Sequence, residues 1–355
     1  MSERELIKGN EALAYGALRS GLNAYFGYPI TPSSEVPETL AMEFGSPEFP
    51  DFKVFLQSAS EVEAINMVIG AASTGAKAMT ATSGPGFSLM QEGISYAAGM
   101  ELPIVVVDVN RAGPGLGNLG PEQSDYFQAT RGGGHGGSRS IVLAPNSVQE
   151  MGSFPSLAFS LAFKYRNPVV ILADAFLGQL KEDIVFPKTV SEKFEAPWAA
   201  TGSMGGSRHL ILSLHLDFED QKRHSEDLMG KYERVDSSEQ RAESYLTDDA
   251  SVVLVAYGVV SRVCREVVDE LRSRGVKAGM FRPVTLSPFP AVRLAEVASR
   301  GRRRFIVVEL NMGQMVYDVR LAVGGAGSVE SVRDLGGMVP TAREIARAAE
   351  GEKVG

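Results

Sequence analysis

The sequence predicts an α/β protein built on parallel sheets and divided into two units. Three observations lead there. Short apolar runs at 54–57, 104–109, 168–173, 252–257 and 305–310 are rich in Val and Ile and bounded by Gly and Pro. They are apolar almost throughout, as strands covered on both faces of a parallel sheet should be. Helical patterns at 10–20, 61–73, 88–100, 148–164, 262–274 and 292–299 alternate with them, the ordering of α/β architecture. The third observation is a change of composition at 217–249, dense in charge and poor in aliphatic clusters. It reads as an inter-domain connection with some solvated helix. The expected division is 1–215, a linker over 216–249, and a smaller unit over 250–355.

The 355 residues suffice for two cores, and the 44% hydrophobic and 22% charged contents are ordinary for a globular protein. A net charge of -8 without a sustained basic stripe argues against nucleic-acid binding. The cluster Arg302, Arg303 and Arg304 reads as the solvated start of a strand. No apolar run reaches membrane-spanning length. The charged residues from Met1 to Glu5 lack a signal-peptide core, so a cytoplasmic protein is expected. The single cysteine, Cys264, excludes a disulfide within the chain and a cluster held by four thiolates of the chain. It lies in an amphipathic helical pattern and reads as a core thiol.

Taken in order, the first chemistry-bearing element is the loop after the apolar segment 22–26, reading Gly27, Tyr28, Pro29, Ile30, Thr31, Pro32. Each proline fixes its own φ and holds the preceding residue extended. Thr31 is thereby set on a stiff loop with its hydroxyl presented to a small polar ligand. The same residues also read as a rigid strand-to-helix turn. Next comes the junction after strand 54–57, Ser58, Ala59, Ser60, Glu61, where ligands of parallel sheets bind. If Ser60 caps the helix, Glu63 completes a capping box and Glu61 heads the stripe of Ile65, Val68 and Ala72. A carboxylate there is expensive unless paired. If Ser58 is the cap, Glu61 is merely its capping partner.

Thr82 to Ser88 forms a glycine-rich approach to another helix. It offers either close backbone approach and unpaired N–H groups, or a tight turn capped by Ser83 or Ser88. Strand 104–109 runs into Asn110 and Arg111. An arginine at a strand's carboxyl end suits a bidentate grip on a carboxylate; a surface ion pair is the alternative. The glycines of 115–120 match a dinucleotide fingerprint, but Pro121 follows at once and no acidic strand end appears at the required distance. The segment reads as a lid. His135, in the glycine loop 132–137, reads as a substrate contact or as a loop histidine without duty.

These residues together resemble the 2-oxoacid:ferredoxin oxidoreductases, in the subunit that carries the pyrimidine half of a thiamine diphosphate site. The resemblance rests on Tyr28 to Pro32, on 61–72 and 80–90, and on 281–290 and 307–315. It spans nearly the whole chain and is weakest over 191–249. It implies a pyrimidine-type thiamine diphosphate-binding domain followed by a smaller, transketolase C-terminal-like α/β domain. It implies that Glu61 activates the aminopyrimidine ring, that Thr31 and Arg111 hold the 2-oxoacid carboxylate, and that Tyr28 and Pro29 wall the pyrimidine pocket. The reaction implied is oxidative decarboxylation of a 2-oxoacid with coenzyme A, yielding acyl-coenzyme A, carbon dioxide and reduced ferredoxin.

The family's diphosphate motif, Gly-Asp-Gly, does not occur here. The resemblance therefore implies that a beta subunit supplies Mg2+ and the diphosphate half-site, and that a gamma subunit and a ferredoxin-like subunit or ferredoxin carry [4Fe-4S] clusters. Substrate choice leans toward branched-chain 2-oxoacids such as 2-oxoisovalerate, from the loop 113–137 and from 148–151. A dicarboxylate such as 2-oxoglutarate needs a second cation, for which Arg131, Arg139 or a partner residue is available. Asn311 and Gln314 read either as a subunit or coenzyme A surface or as a strand-to-helix turn. Two alternatives stay open: another thiamine enzyme component, transketolase-like or lipoamide-linked, and a non-catalytic assembly subunit.

Overall fold

The structure, a computed structural model, describes residues 4–186, 193–202 and 208–352. Two parallel-dominated sheets organise it. The larger has seven strands in the order β12 (Thr285–Ser287), β6 (Ile141–Leu143), β7 (Val169–Asp174), β5 (Ile104–Asn110), β4 (Ala78–Thr82), β2 (Ala24–Gly27) and β3 (Val54–Gln57). All neighbours from β6 to β3 are parallel, and β12 joins β6 antiparallel. The second sheet has five strands in the order β14 (Gly327–Arg333), β13 (Arg303–Glu309), β10 (Val252–Val255), β11 (Ala278–Pro283) and β9 (Ala242–Tyr245). Only β9 runs antiparallel within it. A short ribbon pairs β1 (Arg4–Lys8) with β8 (Lys181–Val185).

The central strands follow the expectation for a buried parallel sheet: every residue of β4, β5 and β7 is buried. β3 departs from it. Val54 and Leu56 are 40% and 41% exposed, because β3 is the sheet's outer strand and no described strand pairs with its far edge. The two sheets are not independent. Phe281, Phe305 and Val307 share one apolar core with Val106, Val142 and Val170. The charged segment holds the helix Phe218–Ser238, capped by Asp217 and with only Lys231 and Val235 buried, and then β9. Cys264 lies fully buried in the core beneath the second sheet.

This topology fixes where a site can form. The neighbouring strands β3, β2, β4 and β5 are parallel, so their carboxyl ends share one edge. The four loops that leave this edge carry Ser58 to Glu61, Tyr28 to Pro32, Ser83 to Gly86, and Arg111. Such an edge is where open parallel sheets bind ligands.

Candidate active site

The helix Glu61–Ser73 starts with Ser60 as its cap, the Ser60 hydroxyl accepting the Glu63 N–H at 3.2 Å. Glu63 reaches back to accept the Ala59 N–H at 3.0 Å. Capping is thus complete without Glu61, and the Ser58 alternative is not the one adopted. Glu61 lies on the buried stripe with Ala64, Ile65, Val68 and Ala72. It is 5% exposed, and its carboxylate has no hydrogen bond or ion pair among the described residues. A carboxylate at the head of a buried stripe, with no partner of its own there, is open to a ligand's donor.

The wall beside Glu61 is the turn opening the helix Gly84–Gly99. A Cβ built on Gly86 would lie 2.5 Å from Glu61 Oε1 and 2.2 Å from Thr82 Oγ1, so glycine alone lets the carboxylate lie against the backbone. Gly84 adopts φ +23 and donates its N–H to Asp108 Oδ1 at 3.0 Å. Ser83 occupies the cap position but makes no side-chain capping bond, and Ser88 donates to Gly84 O instead. Thr82 Oγ1 and Ser83 Oγ are buried without hydrogen-bond partners among the described residues. Unmet donors and acceptors beside a buried carboxylate, around a cradle that a methyl group would fill, are what a polar ring needs. These residues fit the pyrimidine half of thiamine diphosphate.

Arg111 follows β5 and crosses to the proline loop. Its Nη1 donates to Thr31 O at 2.8 Å and its Nη2 to Leu116 O at 3.2 Å, while its Nε is buried without an acceptor among the described residues. The guanidinium is therefore fixed beside Thr31, and each terminal nitrogen keeps a second N–H for a ligand. Thr31 is exposed, and its hydroxyl makes no hydrogen bond among the described residues. Tyr28 and Pro29, on the same loop, are exposed.

The loop is held from behind by residues that sequence reading missed. Asn10 Nδ2 donates to Pro32 O at 2.7 Å and to Glu35 Oε2 at 2.9 Å, and Lys8 and Gln179 also bind Glu35. Burial disfavours the Glu35 carboxylate, but Asn10, Gln179 and Lys8 together draw its pKa below the usual value. A second missed group is the pair of buried Asp108 and half-buried Asp125, with Asn110 donating to Asp125. The available signal was two polar residues, Asp108 and Asn110, in a run otherwise made of Val and Ile.

Other candidates lie elsewhere. His135 lines a separate cavity of about 520 Å³ with Tyr96, Arg139, His224 and Tyr232, which neither Glu61, Thr31 nor Arg111 borders. Arg131 is paired with Asp318 at 2.5 Å, and Arg139 is bidentate to Asp236 at 2.9 and 2.7 Å. Asn311 is buried and Gln314 partly exposed, and Asn311 Oδ1 accepts the Gly313 and Gln314 N–H groups of the strand-to-helix turn. Asn311 Nδ2 donates to Gln123 O at 2.9 Å and Gln314 accepts the Phe127 N–H at 2.8 Å, which stitches the two sheets together. The segment expected to act as a lid is tied down, with Asn118 donating to Gly336 O and Gly113 to Glu122. Among the described residues no group of three His, Cys, Asp or Glu side chains is placed to hold a metal ion. No described helix is long and apolar enough to cross a membrane.

Residues 15–242 match the family described as "Pyruvate flavodoxin/ferredoxin oxidoreductase, thiamine diP-bdg", and 250–345 match "Pyruvate:ferredoxin oxidoreductase core domain II". Fold, site and these matches define the class, a thiamine diphosphate-binding α/β subunit of an oxidoreductase. The chain belongs to the 2-oxoacid:ferredoxin oxidoreductase family. It is 50% identical to the ketoisovalerate oxidoreductase subunit VorB of Methanothermobacter marburgensis, over 97% of this chain and 96% of that one. It is 36% identical to the 2-oxoglutarate synthase subunit KorA of the same organism, over 99% and 100%. A solved 2-oxoglutarate:ferredoxin oxidoreductase from Magnetococcus marinus, with 2-oxoglutarate, coenzyme A and succinyl-CoA bound, superposes with a TM-score of 0.87 at 26% identity. The match covers 98% of this chain and spans 65% of that longer one.

Proposed function

We propose that this chain supplies the pyrimidine-side half of a coenzyme A-dependent enzyme that oxidatively decarboxylates a branched-chain 2-oxoacid such as 2-oxoisovalerate. The observation that carries the reading is Glu61, 5% exposed, whose carboxylate lies against the Gly86 backbone and has no partner among the described residues. In that position Glu61 would hold a proton at the ring nitrogen of a bound aminopyrimidine, and the exposed Tyr28 and Pro29 would wall the pocket. Thiamine diphosphate, when bound, supplies the electron sink for decarboxylation. Arg111 takes the substrate carboxylate through its remaining N–H groups, and Thr31 adds a hydroxyl beside it.

Two observations favour a monocarboxylate. Arg131 and Arg139, the cations available for a second carboxylate, are committed to Asp318 and Asp236. The chain is also nearer in sequence to VorB than to KorA. Partner chains complete the enzyme: a beta subunit with Mg2+ and the diphosphate half-site, and gamma and ferredoxin-like subunits with [4Fe-4S] clusters. Exposed Val54, Leu56 and Val62 beside the site support a docking face for the first of these. The unit boundaries at 215 and 250 belong to the same proposal.

Glu61→Ala in the assembled complex tests the reading. Carbon dioxide release from 2-oxoisovalerate should fall at least about a hundredfold, as for removal of a general acid–base group, with assembly retained. Near-normal turnover would overturn it, and a higher kcat/KM for 2-oxoglutarate would overturn the substrate assignment.

A further inference from the structure

Asp108 sits in the middle of the larger sheet at 0% exposure, yet the reaction as derived above gives it nothing to do. Its Oδ1 accepts the Gly84 N–H at 3.0 Å. Its Oδ2 is buried, with no donor to it among the described residues. The neighbouring carboxyl is Asp125, within hydrogen-bonding reach and itself accepting from Asn110 Nδ2. Two ionised carboxylates are acceptors only and cannot bond to each other. Two like charges in buried contact do not both ionise.

We infer that Asp108 is a positioning residue held as the neutral acid: its Oδ2 hydroxyl donates to Asp125, its Oδ1 grips Gly84, and the Gly84–Gly86 turn is thereby set against Glu61. The inference rests on the role proposed for Glu61 and names what holds that site in shape. Gly84 is the junction. A Cβ there would lie 3.5 Å from Asp125 Oδ2 and 3.9 Å from Arg111 Cγ, and Gly86, two residues on, touches Glu61. The backbone of Gly84 is in the region that only glycine adopts easily, so its geometry needs a hold.

The ionisations agree with this division of roles. Burial, and then the Asp125 charge, push the Asp108 pKa well up. Burial raises Asp125 to about 6, which leaves it an ionised acceptor at neutral pH. The other charged or titratable groups facing the pair are Glu122 on the Asp125 loop, Arg111 beyond β5, and Tyr257 from the second sheet, whose phenol burial keeps neutral.

The neutral acid and an asparagine present the same pattern, one donor and one acceptor; leucine presents neither. Asp108→Asn and Asp108→Leu, each in the assembled complex, therefore separate the ideas. Asp108→Asn should keep kcat within about twofold of wild type and leave the pH–rate profile unchanged. Asp108→Leu should lose roughly tenfold to a hundredfold in kcat, the scale of a displaced catalytic group, with KM for the 2-oxoacid little altered. Infrared spectra of the wild-type complex minus Asp108→Asn should show the C=O stretch of a protonated carboxyl, a readout independent of turnover. Asp108→Asn as slow as Asp108→Leu, or no such band, would overturn the inference. So would full activity in Asp108→Leu where Glu61→Ala is inactive. Full activity in both would instead sink the role of Glu61. If Asp108→Leu does not fold, the asparagine variant and the band decide.

Discussion

Gly86→Ala should disable the site while leaving the fold standing. The added Cβ would lie 2.5 Å from Glu61 Oε1, 2.8 Å from Glu61 Cγ and 2.2 Å from Thr82 Oγ1. Relaxed contacts of this kind are about 3.5 Å or longer, so the Glu61 side chain must give by about 1 Å. Thr82 is fully buried and β-branched, so its hydroxyl is crowded as well. Glu61 has the longer side chain and is the group that shifts. Overpacking of this size costs about 1–3 kcal/mol, within the ~5–15 kcal/mol that holds a typical domain together. A 1 Å displacement of a catalytic group costs roughly a hundredfold in rate. The control is Gly70→Ala in the same helix as Glu61, where nothing lies within 4 Å. That change should leave turnover intact and stabilise by about 0.5–1 kcal/mol. Carbon dioxide release and thermal melting of both assembled variants are the assay. Wild-type turnover in Gly86→Ala would refute the claim that the chemistry depends on where the Glu61 carboxylate sits.

Two other outcomes follow from charges placed by the fold. Lys231 is 3% exposed, with Nζ 3.2 Å from Arg166 O and 3.5 Å from Glu101; burial depresses its pKa to about 8 despite Glu101. The folded state thus binds fewer protons than an unfolded lysine titrating near 10.4, so stability should rise with pH between about 8 and 10, by roughly 3 kcal/mol; denaturant midpoints of Lys231→Met should lose that slope, and an unchanged slope would count against the burial argument. Arg111→Lys removes the fork that bridges Thr31 O and Leu116 O; KM for the 2-oxoacid should rise at least about tenfold, a loss of about 1.4 kcal/mol, and an unmoved KM would show that another group binds the carboxylate.

The α/β class and the alternation of strands and helices were legible because buried parallel strands advertise themselves as mostly apolar runs. β3 shows the limit of that signal. Its four residues look like those of a central strand, but only the order of strands in the sheet reveals that one edge is free. The junction at Ser60 was legible for a local reason. Cap and capping partner are three residues apart, so the sequence itself contains the competing arrangements, and burial of Glu61 decides between them. Asn10, Asp125 and Asn311 carry no such local signal. Their partners, Pro32, Asp108 and Gln123, lie 22, 17 and 188 residues away, and only the fold brings them together. Asp108 falls between these cases. An aspartate among valines can be read as costly from sequence alone, because no buried strand tolerates it unpaired. What cannot be read is the form of compensation. A cation, a metal and a second acid sharing its proton would all leave the same mark in β5, and only the side chain that meets it from the loop at Asp125 selects the third.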